Sequence, residues 1–202
     1  MLRVVHGRRF VRTYVNGAYI VTDEIAPDYE WVFNDDTVTA QEKLHGTNVS
    51  VTIINGQIQT VYNRENRIDP WSTDVIVDAV REAKGRGYMR LTDGQYFGEV
   101  IGPKLHGNPY KLDYHIWLPF DTYFAKHLTY KTWGKYPKDF ATISAWFKDG
   151  LMPLFYMSKH NGDKTGFVEG VVFHHPDGRM AKLRRDMFDW YEGARHKQDK
   201  YG

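Results

Sequence analysis

The stretch Val49-Ser50-Val51-Thr52-Ile53-Ile54 alternates along its length and runs straight into Asn55-Gly56. Period-two alternation puts successive side chains on opposite faces of an extended strand, and Asn-Gly readily adopts the left-handed backbone that closes a two-residue hairpin. Strands at about 48 to 54 and 57 to 62 are therefore expected as an antiparallel pair. Between Ser72 and Gly85 the periodicity changes. Val75, Ile76, Ala79, Val80 and Ala83 recur at helical spacing, with Ser72 or Thr73 as N-cap and Gly85 as the stop. A second helix is expected at about 139 to 148, with Phe140, Ile143 and Phe147 inward. The remainder reads as short strands and turns, without repeats, low-complexity tracts or a clear linker. The fold class is α+β, dominated by strands.

Immediately before the hairpin stands Glu42-Lys43-Leu44-His45-Gly46-Thr47-Asn48, which places a lysine at the mouth of a strand. Lysines in general are protonated near neutrality, and a nucleophilic one needs cationic neighbours, a metal or desolvation to release its proton. Gly46 would let backbone approach a phosphate closely. Three further runs supply groups such a lysine needs. Gln95-Tyr96-Phe97-Gly98-Glu99-Val100-Ile101-Gly102-Pro103 is strand-like and carries Glu99. In Phe167-Val168-Glu169-Gly170-Val171-Val172-Phe173, alternation sets Glu169 on one face with Phe167, Val171 and Phe173, where an acid requires a partner. In Met180-Ala181-Lys182-Leu183-Arg184-Arg185, Lys182 and Arg184 project from one face and could reach a triphosphate. Each run alone has a bland reading: a solvated lysine at a turn, structural carboxylates, a charged strand edge. Their joint presence in this order is more specific than any one of them.

The run EKLHGTN resembles the nucleotide-attachment motif of covalent nucleotidyltransferases, and His45-Gly46 resembles its RNA ligase 2 branch. Glu99 is similar to the acid of that family's third motif, Glu169 to that of the fourth, and Lys182 with Arg184 to the basic pair of the fifth. Arg64 resembles the arginine after the lysine motif, with Arg67 close by, and Phe120, before Asp121, resembles the adenine-stacking aromatic. The resemblance implies the nucleotidyltransferase fold, two antiparallel sheets flanked by helices with an ATP groove between them. It implies an ATP-dependent RNA ligase that joins 5′-phosphate and 3′-hydroxyl ends through AMP on Lys43 and an adenylylated 5′ end. Mg²⁺ or Mn²⁺ would be held by Glu169 and Glu99. Glu42, His45, Gly46, Asn48, Arg64, Glu99 and Phe120 would bind the nucleotide, and Lys182, Arg184 and Glu169 would act with Lys43 in transfer. Two departures stand out. The basic pair reads Lys-Leu-Arg, where many relatives have two lysines, and only about seventeen residues follow Arg185. The resemblance thus implies one adenylyltransferase domain over 1–202, without a separate C-terminal nucleic-acid domain. A protein partner or basic surface would take that domain's place.

At 202 residues the chain fits one domain or a tight pair, and 42% of residues are hydrophobic, enough for a full core without staples. With no cysteine there are no disulfides, thiolate nucleophiles or zinc ribbons. The nine histidines lack metal-ligand spacing, and His174-His175 beside Pro176 reads as a turn. No apolar run approaches membrane-spanning length, so the expectation is an intracellular, cytoplasmic monomer without membrane contact; a viral origin is compatible. Net charge is only +2, but the first twenty residues hold Arg3, Arg8, Arg9 and Arg12 without an acid. From Lys104 to Lys138, lysines interleave with Tyr110, Tyr114, Tyr123, Tyr130, Trp133 and Tyr136. Such a block suits RNA or a nicked duplex, and equally a solvated face with lysine stems over tyrosines. Three other functions share these features: a nick-sealing DNA ligase, a capping-type guanylyltransferase, and a nucleotide- or RNA-binding module without transfer activity.

Overall fold

The computed structural model describes residues 10–195 apart from 16, 91, 136 and 137. Arg3, Arg8, Arg9 and Tyr136 lie outside the described residues. The chain divides into two compact units. The first takes the described residues of Met1–Lys43, Thr129–Met152 and Val168–Gly202, and the second takes those of Leu44–Leu128 and Pro153–Phe167. The expectation of two sheets becomes three among the described residues, all antiparallel.

In the first unit, β1 (Phe10–Val15) and β2 (Ala18–Ile25) form a hairpin, followed by the short helix α1 (Trp31–Asn34). A three-stranded sheet runs in the order β10 (Met180–Arg184), β9 (Gly170–His174), β3 (Thr39–Lys43). Ala40, Val171, Phe173, Ala181 and Leu183 lie on its buried face. Beneath them is an aromatic core in which Trp133 meets Phe173 at 4.6 Å, Trp146 at 5.5 Å and Phe33 at 6.5 Å. Helix α4 (Phe140–Ala145) is capped by Asp139 and continues into a π-helical turn, Trp146–Gly150. Ile143 and Phe147 point inward as expected, and Phe140 is half-buried.

The turn after β9 is clamped by charge. His175 Nε2 meets Asp35 Oδ2 and its Nδ1 meets Asp177 Oδ1, each at 2.8 Å. Only the imidazolium can donate to both carboxylates. The bond to Asp35 raises the His175 pKa against some opposing burial, with Asp177 adding to the rise. The hydroxyl and amide of Thr37, and then His175, hold the Asp35 carboxyl at about 2. A raised histidine stabilises fully below its unfolded value, about 6.5, and that stabilisation is lost as pH rises through the folded value; a depressed carboxyl stabilises above about 3.9. The clamp is therefore strongest between those two values. Asp35→Asn should lower the thermal midpoint more at about pH 5.5 than at about pH 9, where the bonds from Thr37 are still lost but the imidazolium no longer contributes. Equal losses at both would show that the imidazolium does not matter.

The second unit is built on a five-stranded sheet. Its order is β6 (Asn66–Ile68), β5 (Gln57–Asn63), β4 (Thr47–Ile54), β7 (Gly94–Ile101), β8 (Ile116–Pro119). Asn55 and Gly56, at φ 52° and 69°, close the expected hairpin between β4 and β5. Helix α2 (Val75–Gly85) packs on β8 and β7 and buries Ile76, Val77, Ala79, Val80 and Ala83. Burying a side chain the size of Ile76 or Val80 contributes about 1.5–3 kcal/mol. Its N-cap is Asp74, whose carboxylate accepts from the Ile76 amide, and not Ser72 or Thr73. Phe120–Phe124, in π-helical geometry, leads from β8 into α3 (Ala125–His127), and α5 (Leu154–Lys159) completes the unit. No helix among the described residues is long and apolar enough to cross a membrane.

The interleaved basic and aromatic block does not form a line of exposed rings. Tyr110, Tyr123, Tyr130 and Trp133 are all buried. Rings of this size are worth more to the cores of the two units than on a surface, and a lysine stem can still cover a ring's edge. The Lys138 ammonium lies 5.1 Å from the Trp133 ring centroid.

Candidate active site

Lys43 is the last residue of β3 and pairs with Gly170, which in turn pairs with Arg184 on β10. Gln41 pairs with Val172, and Val172 with Lys182. Directly opposed residues in antiparallel strands share a face, so Lys43, Lys182 and Arg184 all project from the face opposite the aromatic core. Lys43 and Arg184 stand two strand spacings apart, about 10 Å, with no side chain between them because residue 170 is glycine. A Cβ at 170 would collide with the Leu183 carbonyl oxygen, so the glycine also permits β10 to approach.

Glu169 lies one residue before β9 and is 6% exposed. Lys43 Nζ donates to its Oε2 at 2.8 Å, with the lysine side chain 21% exposed. The acid expected on the apolar strand face stands just before the strand begins, and its partner is the lysine of the motif on the opposite face. Arg184 Nε donates to Asp186 Oδ1 at 2.9 Å, and Arg195 donates to the Asp186 carbonyl. The bond to Asp186 engages Nε and leaves the terminal nitrogens of the guanidinium fork for other partners. Glu42, adjacent to Lys43 in sequence, alternates to the buried face and is 0% exposed. It belongs with Val171 and Leu183, not with the row of cations.

Among the described residues no three of His, Cys, Asp and Glu come together as a metal cage. Carboxylates such as that of Glu169 are hard oxygen donors, and Mg²⁺ or Mn²⁺ needs only one or two of them when water and phosphate oxygens complete its shell.

In the second unit the remaining residues of the motif lie against β7. Asn48 is paired directly with Glu99, and Glu99 with Leu118. A Cβ at Gly46 would collide with the Val100 carbonyl oxygen and lie 2.9 Å from Glu99 Cγ. What approaches Gly46 closely is therefore the backbone of the neighbouring strand. The His45 amide donates to Tyr110 Oη at 2.6 Å, and its ring lies 4.6 Å from that of His106. Arg64 sits at φ 55° in the turn between β5 and β6, and its amide donates to the Asn48 carbonyl at 3.4 Å. Arg67 pairs with Tyr62 farther out on β6, so it is Arg64 whose backbone is tied to the motif. Phe120 is half-buried and packs edge-on against Phe124 at 4.9 Å.

A family model described as RNA ligase matches residues 36–189, a span that contains Lys43, Arg64, Glu99, Phe120, Glu169, Lys182 and Arg184. The chain belongs to the RNA ligase family. Solved structures of Naegleria gruberi RNA ligase are similar to it in fold. A mutant with AMP and Mn aligns with TM-score 0.55 at 16% identity, over 88% of this chain and 59% of that one. A mutant with ATP and Mn aligns with TM-score 0.53 at 15% identity, over 89% and 59%. An apo mutant aligns with TM-score 0.53 at 17% identity, over 77% and 51%. The likeness shows the nucleotidyltransferase fold, and the chain spans about half to three-fifths of those structures' length. No curated protein matches the sequence.

Three residues of this RNA ligase family member escape a reading for motifs. Gly170 follows Glu169 and looks like an ordinary strand glycine until the register sets it between two cations. Asp186 carries no signal beyond its place two residues after Arg184. Tyr110 looks like one of the basic block's tyrosines, yet its hydroxyl holds the backbone of the lysine motif.

Proposed function

We propose that this RNA ligase family member is an ATP-dependent RNA ligase working through AMP attached to Lys43. The observation that carries the proposal is the Lys43 Nζ to Glu169 Oε2 contact, on a sheet face shared with Lys182 and Arg184. Nζ attacks the α-phosphorus of ATP; the N–P bond forms as the P–O bond to pyrophosphate breaks, and pyrophosphate leaves with that electron pair. Glu169 Oε2 sits where it can take the proton that Nζ must shed. Lys182 and Arg184 stabilise charge on the α-phosphate as it develops. When bound, a divalent ion offsets the triphosphate charge, and Glu169 and Glu99 are the carboxylates assigned to it.

Glu99 also serves the ribose, Phe120 stacks on adenine, and Arg64 binds phosphate. His45, Gly46 and Asn48 shape the nucleotide site, with Glu42 supporting from the buried face. AMP then passes to a 5′-phosphate of RNA, and a 3′-hydroxyl displaces it. Membership of an RNA ligase family, together with ATP and AMP in the Naegleria structures, supports this reading over a nick-sealing DNA ligase.

The test is incubation with Mg²⁺ and labelled ATP or GTP, followed by mapping of acid-labile label to a peptide. Label from ATP on the peptide containing Lys43 is expected. Label from GTP alone would point to capping chemistry. No label from either, in folded protein free of bound AMP, would sink the proposal and favour a binding module.

A further inference from the structure

We infer that one face of the five-stranded sheet is a stacking platform for bases of the RNA strand being joined; the identity of that strand rests on the ligase reading above. The register sets four residues in one row across four strands: Arg67 on β6, Tyr62 on β5, Ser50 on β4 and Phe97 on β7. Opposed residues share a face, so both rings stand on the same side with a small serine between them. Their backbones are two strand spacings apart, about 10 Å. The other face of the same strands carries Val49, Val51, Ile53 and Val61, all fully buried. Tyr62 and Phe97 are only half-buried.

The surroundings suit a nucleotide better than an apolar partner. The next row is Thr60, Thr52 and Gln95, wholly polar, and Gln95 Nε2 donates to Ser50 Oγ at 3.4 Å. At the outer end Arg67 is exposed, with the exposed Arg64 in the adjoining turn, two cations placed for a phosphate backbone. In the other direction, two residues along β4 or about 7 Å, lies the Asn48–Glu99 pair proposed for ATP. Toward β8 the face closes over Ile101, Ile116 and Leu118, so the more accessible part is the side where Tyr62 and Phe97 flank the buried Ser50. Aromatic rings bordered by cations take successive bases by their π-faces without reading sequence.

The experiment uses the whole protein and a fluorescent single-stranded oligoribonucleotide with a 3′-hydroxyl, with binding read by anisotropy and ATP labelling followed in parallel. Tyr62→Leu and Phe97→Leu should each weaken RNA binding by about tenfold or more, and Tyr62→Trp should retain it. All three should acquire label from ATP at the wild-type rate. Arg67→Gln, at an exposed position, should lower the slope of log affinity against log salt by about one. Unchanged RNA affinity in both leucine variants would overturn the platform. So would folded leucine variants that lose ATP labelling together with RNA binding, since the rings would then belong to the nucleotide site. If wild type takes no label while the leucine variants still lose RNA affinity, the ligase reading fails and the platform stands.

Discussion

Lys43→Ala should abolish covalent AMP, to below about one part in a thousand of wild type, while leaving a folded protein. The chain has no cysteine to substitute as a nucleophile. Lys182 shares the face but lies on β10, with β9 between it and β3, so it cannot inherit the geometry that aims Lys43. The variant has a second consequence that separates chemistry from stability. Glu169 is 6% exposed and would lose the cation 2.8 Å away. Removing one partner of a fully buried pair costs about 3–5 kcal/mol, and the lysine's partial exposure reduces that to about 1–3 kcal/mol. Adding Glu169→Gln to Lys43→Ala should restore most of that stability, since the amide carries no buried charge, and should restore no label. Denaturant unfolding of wild type, both single variants and the double variant measures the coupling. Label persisting in Lys43→Ala would transfer the nucleophile's role elsewhere, whatever the stabilities.

How far the sequence led depended on which physical signal each feature left. The β4–β5 hairpin was legible because alternation and Asn-Gly act over a few residues and agree with each other. The helix at 75 was legible as a helix, yet its cap was misplaced: the Ser72 hydroxyl donates to the Asp69 carbonyl, leaving Asp74 to accept from the first turn. The lysines and tyrosines from 104 to 138 misled because composition cannot distinguish a ring in the core from one on the rim. Glu42 and Lys43 are neighbours in the chain and lie on opposite faces of a strand. By contrast, Lys43 and Glu169 are far apart in sequence and meet through the pairing of β3 with β9, which no local pattern encodes. The order of the motifs named the candidate residues, and the register showed how Lys43, Lys182 and Arg184 share a surface.

Gly46→Ala should cost about 3 kcal/mol or more, lower the thermal midpoint by roughly 6–12 °C, and reduce ATP labelling about a hundredfold. Sequence alone suggests a glycine that makes room for phosphate. The structure offers a different reason. An added Cβ would strike the Val100 carbonyl oxygen and come within 2.8 Å of Ile101 Cγ2 and 2.9 Å of Glu99 Cγ. The first of these is backbone in the middle of a sheet, so no side-chain rotation relieves it. To fit the methyl, residues 45 to 47 must lift away from β7. That movement loosens the pairing of Thr47 with Val100 and of Asn48 with Glu99, and it draws the His45 amide off Tyr110 Oη. The same displacement disturbs Asn48 and Glu99, proposed for the nucleotide, so activity should fall further than the fraction of folded protein does. Thermal unfolding and labelling of one preparation decide between the two reasons. A variant with a near wild-type midpoint and no ATP labelling would return Gly46 to the role of phosphate contact, whereas loss of both places its importance in the approach of β7.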